Sequence, residues 1–195
     1  DWSSDVCSSD LSANGKVRHR TMKKIVTKFG GSSLADSGQF RKVKDIIRMD
    51  PARCYVVPSA PGRRFDGDDK VTDLLYRCHS QRTAGDERWR DTLDTIAGRF
   101  LDIAEELGLK VDISAALDTI AQDIENGASR DYCASRGEFL NGLLLADFLG
   151  WRFLDADKVI DLPMDLDVKK LIVLRCDSTG LCSGMRKNLR TWWII

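Results

Sequence analysis

The sequence has neither an excess of charge nor a long apolar run. Lysine plus arginine and aspartate plus glutamate number 30 each in 195 residues, so bulk charge does not favour nucleic acid or an anionic membrane as a partner. No apolar run approaches the ~20 residues of a membrane-spanning helix. The longest run, residues 143–146, is followed at once by Asp147. We therefore expect a soluble cytoplasmic protein with no nucleic-acid or membrane partner.

Metal-ligand spacings and the common nucleotide fingerprints are also absent. None of the six cysteines forms a Cys-x-x-Cys pair, and His19 and His79 lack the spacing of zinc ligands. We expect reduced thiols and no metal held by the protein. There is neither a Gly-x-x-x-x-Gly-Lys-Ser/Thr loop nor a Gly-x-Gly-x-x-Gly motif. The second absence disfavours a nicotinamide-dependent oxidoreductase.

A strand, a glycine turn and a helix are predicted near the start of the globular part. Residues 25–29 form a β-branched and aromatic run, Gly30 and Gly31 follow, and apolar residues then repeat at helical spacing (Phe40, Val43, Ile46 and Ile47). This order directs backbone N–H groups at an anion, and the glycines let the backbone approach it. Lys28 would place an ammonium beside that anion. An ordinary turn with a surface lysine fits the same residues.

A second strand and loop carry hydroxyl groups. The pattern predicts a buried strand over residues 54–57, a loop over residues 58–64 that is rich in turn residues, and a helix that opens at residue 71. Ser59 at the strand end and Thr72 at the helix start can hydrogen-bond a carboxylate. Thr72 also fits a helix cap that binds nothing.

Three further helices are predicted. Apolar stripes over residues 89–107 and 113–124 indicate a helical hairpin whose apolar residues form core and carry no chemistry. A largely buried helix is expected to open at residues 135–141. Glu138 would lie in its first turn, where the helix dipole favours a negative charge. A buried carboxylate needs a partner, which an incoming ammonium could supply, although Glu138 could equally serve the helix end alone.

Three of these stretches resemble aspartate kinases of the amino acid kinase family. They are residues 28–36 (Lys-Phe-Gly-Gly-Ser-Ser-Leu-Ala-Asp), residues 59–75 (Ser-Ala-Pro-Gly-Arg-Arg to Val-Thr-Asp-Leu-Leu) and residues 135–141 (Ser-Arg-Gly-Glu-Phe-Leu-Asn). The resemblance covers roughly residues 23–163. It implies an α/β fold: a three-layer sandwich with a mainly parallel sheet of the amino acid kinase type, incomplete, plus the helical hairpin.

The resemblance also implies a division of the chain. We expect residues 21–165 to be the N-terminal part of an amino acid kinase domain and residues 166–195 to be an off-pattern tail, as a frameshift would produce. Residues 1–20 are expected to be an artefactual or disordered leader. Within it, residues 1–11 resemble the translation of a common sequencing adapter.

The activity implied by the resemblance is ATP-dependent phosphorylation of the β-carboxylate of L-aspartate. The product would be 4-phospho-L-aspartate, in the first step of lysine, threonine and methionine biosynthesis, with ATP and Mg²⁺ as cofactors and a homo-oligomer as the full-length form. The resemblance makes Lys28 catalytic and implies two sets of ligands. The phosphates would be bound by Lys28, Gly30, Gly31 and Ser32, and the aspartate by Ser33, Ser59, Thr72 and Glu138.

Two alternatives stay open. Another member of the same family, such as glutamate 5-kinase, acetylglutamate kinase or uridylate kinase, shares the lysine–glycine start but not the combination of motifs found here. A non-catalytic fragment or association module would use the same fold without the chemistry. The family's Arg-Gly-Gly-Ser-Asp segment does not occur in this sequence, so we expect little or no activity from this polypeptide by itself.

Overall fold

The structure is a computed structural model that describes residues 24–155 and the strand at residues 172–174. The expected leader (residues 1–20), its adapter-like part and, apart from that strand, the expected tail (residues 166–195) lie outside the described residues. The α-helices are α1 (Ser37–Arg48), α2 (Val71–Thr83), α3 (Trp89–Leu107), α4 (Ile113–Glu125) and α5 (Arg130–Leu149). The strands are β1 (Ile25–Phe29), β2 (Arg53–Pro58), β3 (Arg152–Leu154) and β4 (Ile172–Leu174), and Gly31–Leu34 form a short 3₁₀ helix.

The strands form one sheet in the order β1-β2-β4-β3. Strands β1 and β2 pair in parallel, whereas β4 runs antiparallel to both β2 and β3. Strands β1, β2 and β3 therefore run in one direction and β4 runs against them. The α/β class is confirmed. No helix in the part of the chain that the structure describes is long and apolar enough to cross a membrane.

Strand β1 and helix α1 place the first motif. Along β1 the side chains alternate between half-buried and exposed. Because successive side chains of a strand point to opposite faces, the exposed Lys28 lies on the face opposite Phe29, which packs against the core. Asp36 caps α1 by accepting a hydrogen bond from the backbone N–H of Gln39 at 2.8 Å. Ile46, one of the four apolar residues whose spacing predicts α1, is 41% exposed, so fewer residues of α1 face the core than the pattern indicates.

The helical hairpin of α3 and α4 is confirmed. Its two apolar stripes are buried in the main core, as the spacing of their residues predicts. Helix α3 ends at Gly108, whose left-handed backbone lets the chain turn towards α4. The stripe of α3 also contains one buried charged residue, Arg99, which the apolar pattern did not anticipate.

The predicted start of helix α5 is wrong. The helix begins at Arg130, where the Ser129 side chain caps it by accepting a hydrogen bond from the Tyr132 N–H at 3.1 Å. Glu138 therefore lies in the middle of α5, and the helix-dipole argument for its charge does not apply. Gly137, in the stretch that was expected to open the helix, is an interior residue that allows close packing. The expectation that α5 is largely buried is confirmed.

Candidate functional site

The first and second motifs meet through two glycines. The N–H of Gly62 donates to the carbonyl of Gly31 at 2.9 Å. A Cβ on Gly31 would lie 2.8 Å from the Ala60 carbonyl oxygen, and a Cβ on Gly62 would lie 2.7 Å from the Gly31 carbonyl carbon. Because backbone atoms stand in the way on both sides, neither position accepts a side chain without a shift. The Ser59 N–H also donates to the Phe29 carbonyl at 3.0 Å, so the two loops leave the sheet together.

The third motif packs on the second. A Cβ on Gly137 would lie 2.9 Å from the Ala60 Cβ, so α5 comes close to the loop only because residue 137 has no side chain. One turn further along α5, Nδ2 of Asn141 donates to the Ser59 carbonyl at 2.6 Å. The first and third motifs therefore both contact residues 59–62, at the start of the second motif.

The residues expected to bind phosphate lie on the turn after β1. Within the described residues the Lys28 side chain has no hydrogen-bond or ion-pair partner, and it is exposed. Gly30 precedes the 3₁₀ helix, and nothing lies within 4 Å of a Cβ built on it. Gly31, by contrast, has no room for a side chain, because an added Cβ would clash with the backbone of the second loop. Ser32 is exposed, so Lys28 and Ser32 both present polar groups to solvent.

The residues expected to bind aspartate are half-buried: Ser33, Ser59, Thr72 and Glu138. The N-cap of α2 is Lys70, which makes no side-chain cap hydrogen bond, and Thr72 is the second residue of the helix. The alternative interpretation of Thr72 as a helix cap is therefore wrong. Among the described residues, the hydroxyls of Ser33, Ser59 and Thr72 make no hydrogen bond, which leaves them available to a ligand. Glu138 directly follows the glycine that packs on Ala60.

Sequence reasoning missed two buried polar residues beside these loops. Arg99 of α3 is 4% exposed. Its Nη2 donates to the Gly62 carbonyl at 2.6 Å, and its Nη1 donates to the Asp69 carbonyl at 2.7 Å. Asn141 of α5 is fully buried. The sequence pattern could have indicated the burial of Arg99, because this residue lies three positions after Ile96 and directly before Phe100, within the buried stripe of α3.

An ion pair closes the loop between residues 62 and 69. The Arg64 guanidinium binds the Asp68 carboxylate through Nε at 2.9 Å and Nη2 at 3.1 Å, and the Arg64 N–H binds it at 3.0 Å. The hydrogen bond from the Arg64 side chain is the main reason that the pKa of Asp68 lies well below its usual range, and nearby Arg99 acts in the same direction. Burial lowers the pKa of Arg99. The lowered pKa of Asp68 means that its carboxylate is charged at neutral pH.

Two surface clefts in the described part of the chain have none of the expected ligands in their lining. One, of about 70 Å³, is lined by residues 35–37 at the start of α1, by residues of α3 and by Arg64. The other, of about 370 Å³, lies between Lys44, the start of the α3–α4 connection and the end of α5. Neither is lined by Lys28 or Glu138. The described residues also contain no group of three or more histidine, cysteine or acidic side chains that could hold a metal ion.

Comparison with known proteins gives related sequences and structures, although no protein-family model matches the chain. Aspartokinase 3 of Bacillus subtilis (strain 168) is 36% identical in an alignment 140 residues long, which covers 69% of this chain and 31% of that protein. The crystal structure of Clostridium acetobutylicum aspartate kinase matches with a TM-score of 0.67 and 51% identity, over 69% of this chain and 31% of that one.

A second solved structure carries ligands. Escherichia coli aspartokinase III in complex with aspartate and ADP matches with a TM-score of 0.51 and 27% identity, over 65% of this chain and 29% of that one. In each of these three comparisons the chain spans less than a third of the length of the protein it matches.

Proposed function

This chain is homologous to the aspartokinases, and from that premise we propose that it supplies part of a site that phosphorylates L-aspartate. ATP would transfer its γ-phosphoryl group to the β-carboxylate, which gives 4-phospho-L-aspartate, the first intermediate of lysine, threonine and methionine biosynthesis. The observation that carries the proposal is that the first and third motifs both contact residues 59–62 of the second motif. Homo-oligomerisation and a cytoplasmic location stay predictions.

Lys28 is the residue that we assign to the transferred phosphoryl group. The reaction brings two anions together, and at ~4 Å with an effective dielectric near 20 each pair of unit charges repels by about 4 kcal/mol. An exposed ammonium that no described group neutralises can offset part of that repulsion and stabilise charge in the transition state. The backbone of Gly30 and Gly31 with Ser32 would hold the neighbouring phosphate oxygens.

Mg²⁺ would reach the site with the nucleotide. The described residues lack a cluster of carboxylates for it, and Mg²⁺ commonly keeps several waters while binding substrate phosphates. We therefore assign its coordination chiefly to ATP oxygens. Lys28 and Mg²⁺ would then share the neutralisation of the phosphates.

The aspartate would lie against the second and third motifs. The free hydroxyls of Ser33, Ser59 and Thr72 can donate hydrogen bonds to a carboxylate, and Glu138 would bind the α-ammonium of the substrate. The support for Glu138 comes from its place on α5, directly after the glycine packed on Ala60. Helix-dipole stabilisation no longer contributes to that argument.

A chimaeric enzyme tests this proposal. Residues 24–155 would replace the homologous segment of Bacillus aspartokinase 3, and aspartate-dependent ATP turnover would be measured. We expect the chimaera to be active and Lys28→Met to lower kcat by ~10²–10³. Lys42→Met, which removes an exposed lysine of α1, is the matched control and should leave turnover unchanged.

Two results would refute the proposal: an inactive chimaera, or equal activity of the Lys28→Met and Lys42→Met variants. The same chimaera separates the kinase from an association module. We expect Glu138→Gln to raise the KM for aspartate by about tenfold or more, because a charged hydrogen bond to the substrate is lost. An association module would show no such change.

A further inference from the structure

Arg99 joins the two ends of one loop. Its guanidinium donates from Nη2 to the Gly62 carbonyl and from Nη1 to the Asp69 carbonyl, at 2.6 and 2.7 Å. These carbonyls lie at the first and last residues of the segment 62–69. Because the guanidinium is planar and its donors are fixed relative to each other, these two charge-assisted hydrogen bonds set the distance between the loop ends.

Stability alone does not explain a guanidinium at this position. Arg99 is 4% exposed, and within the described residues its Nε has no hydrogen-bond partner. The Asp68 carboxylate is 3.6 Å away and is already bound by Arg64. Burying a charge and leaving a donor unpaired both cost free energy. Neighbouring positions of the same stripe are filled by apolar residues. What distinguishes Arg99 from them is its pair of hydrogen bonds to the loop carbonyls.

Both ends of the loop support expected ligands. At the first end, Gly62 packs on Gly31, in the turn that we assign to phosphate. At the other end, Asp69 is three residues before Thr72, which we assign to aspartate, and the Val71 N–H donates to the Pro61 carbonyl at 3.2 Å. A change in the separation of the loop ends would therefore move the two binding turns relative to each other.

We propose that Arg99 is a positioning residue that holds the phosphate-binding turn and the start of helix α2 at a fixed separation, so that both substrates bind in register. This inference rests on the proposed function for its consequence but not for its geometry. Arg99 touches neither substrate, and it acts through the carbonyls of Gly62 and Asp69.

Hydrogen exchange tests the geometry in the 195-residue chain. The N–H groups of Gly62 and Val71 donate the hydrogen bonds to the Gly31 and Pro61 carbonyls that hold the two ends of the loop in place. Arg99→Met should therefore raise the exchange rates of these two amides by about tenfold or more, and Arg99→Lys should raise them less. Amides inside α4 should not change. Tryptic cleavage after Arg63, which is exposed, should become faster. Arg90→Met is the matched control, since Arg90 lies on α3 but pairs with Glu87 and Glu125.

Two exchange results would overturn the inference. One is unchanged exchange at Gly62 and Val71 in Arg99→Met. The other is an equal rise throughout α3 and α4 in both Arg99 variants, which would make Arg99 a residue of global stability. Arg99→Lys keeps the charge and much of the length, so it remains informative if the methionine variant unfolds.

The chimaera tests the consequence for substrate binding. Arg99→Lys should raise the KM for aspartate and the KM for ATP together, each by about tenfold, because one lost hydrogen bond disturbs both turns. Thr72→Val should raise the KM for aspartate alone. Unchanged KM values in Arg99→Lys would overturn the inference. An inactive unsubstituted chimaera would instead refute the proposed function. The exchange experiment tests the role of Arg99 in the loop independently, because it does not measure activity.

Discussion

Replacing Gly62 by alanine tests the contact that joins the first two motifs. The added Cβ would lie 2.7 Å from the Gly31 carbonyl carbon, 2.8 Å from the Ser32 nitrogen and 3.0 Å from the Gly31 oxygen. All three atoms belong to the backbone, so no side chain can rotate away. Forcing such a contact costs about 1–3 kcal/mol, and loss of the Gly62–Gly31 hydrogen bond adds about 0.5–1.5 kcal/mol. We expect Gly62→Ala to lower the free energy of unfolding by about 2–4 kcal/mol.

Urea unfolding followed by circular dichroism would measure this loss. Gly98→Ala is the matched control, because Gly98 lies inside α3 with nothing within 4 Å of an added Cβ. The control should raise stability by about 0.5–1 kcal/mol, since alanine favours a helix over glycine. Opposite signs for the two glycine substitutions are the expected result. If Gly62→Ala unfolds at the same urea concentration as the unsubstituted chain, the two turns do not touch and the argument for a shared site fails.

Three further predictions concern buried polar groups and thiols. Asn141→Leu should lower the free energy of unfolding by about 1–3 kcal/mol, because the Ser59 carbonyl loses its donor; an unchanged urea midpoint would contradict this. The pKa of Asp68 is lowered on folding, so its stabilising contribution is fully present above the unfolded pKa of about 3.9 and is lost as the pH falls towards the lower folded value. The stability difference between the unsubstituted chain and Asp68→Asn should therefore stay constant from pH 7 to about pH 5 and shrink below about pH 4; a difference that grows on acidification would refute it. Burial raises the pKa of the Cys78 thiol to about 11, so a thiol reagent at pH 8 should label Cys78 more slowly than the half-buried Cys54, and equal rates would count against the fold.

Local patterns in the sequence were sufficient to predict most of the helices and strands. Strand β1 and helices α1, α3 and α4 follow from runs whose period matches their structure, because burial of one face dictates which positions are apolar. The start of α5 could not be obtained in this way. Gly137 has the same appearance in a sequence whether it opens a helix or lies inside one, and only the contact with Ala60 decides between them.

The candidate site depends on contacts that no local pattern contains. Gly31 and Gly62 are far apart in sequence, and their contact follows from the parallel pairing of β1 with β2. Arg99 has the side chain of a surface residue, and its burial becomes understandable only when the loop carbonyls are placed beside it. The antiparallel pairing of β4 was likewise not predicted, since strand direction depends on the path of the whole chain.

The central claim is that the three motifs form one site, and ligand-dependent hydrogen exchange of the chimaera tests it most directly. Adding ADP and aspartate together should slow exchange in residues 28–33, 59–72 and 135–141 and leave helix α4 unchanged. Protection of the first stretch without the third would contradict the claim, because Lys28 and Glu138 would then not serve the same site.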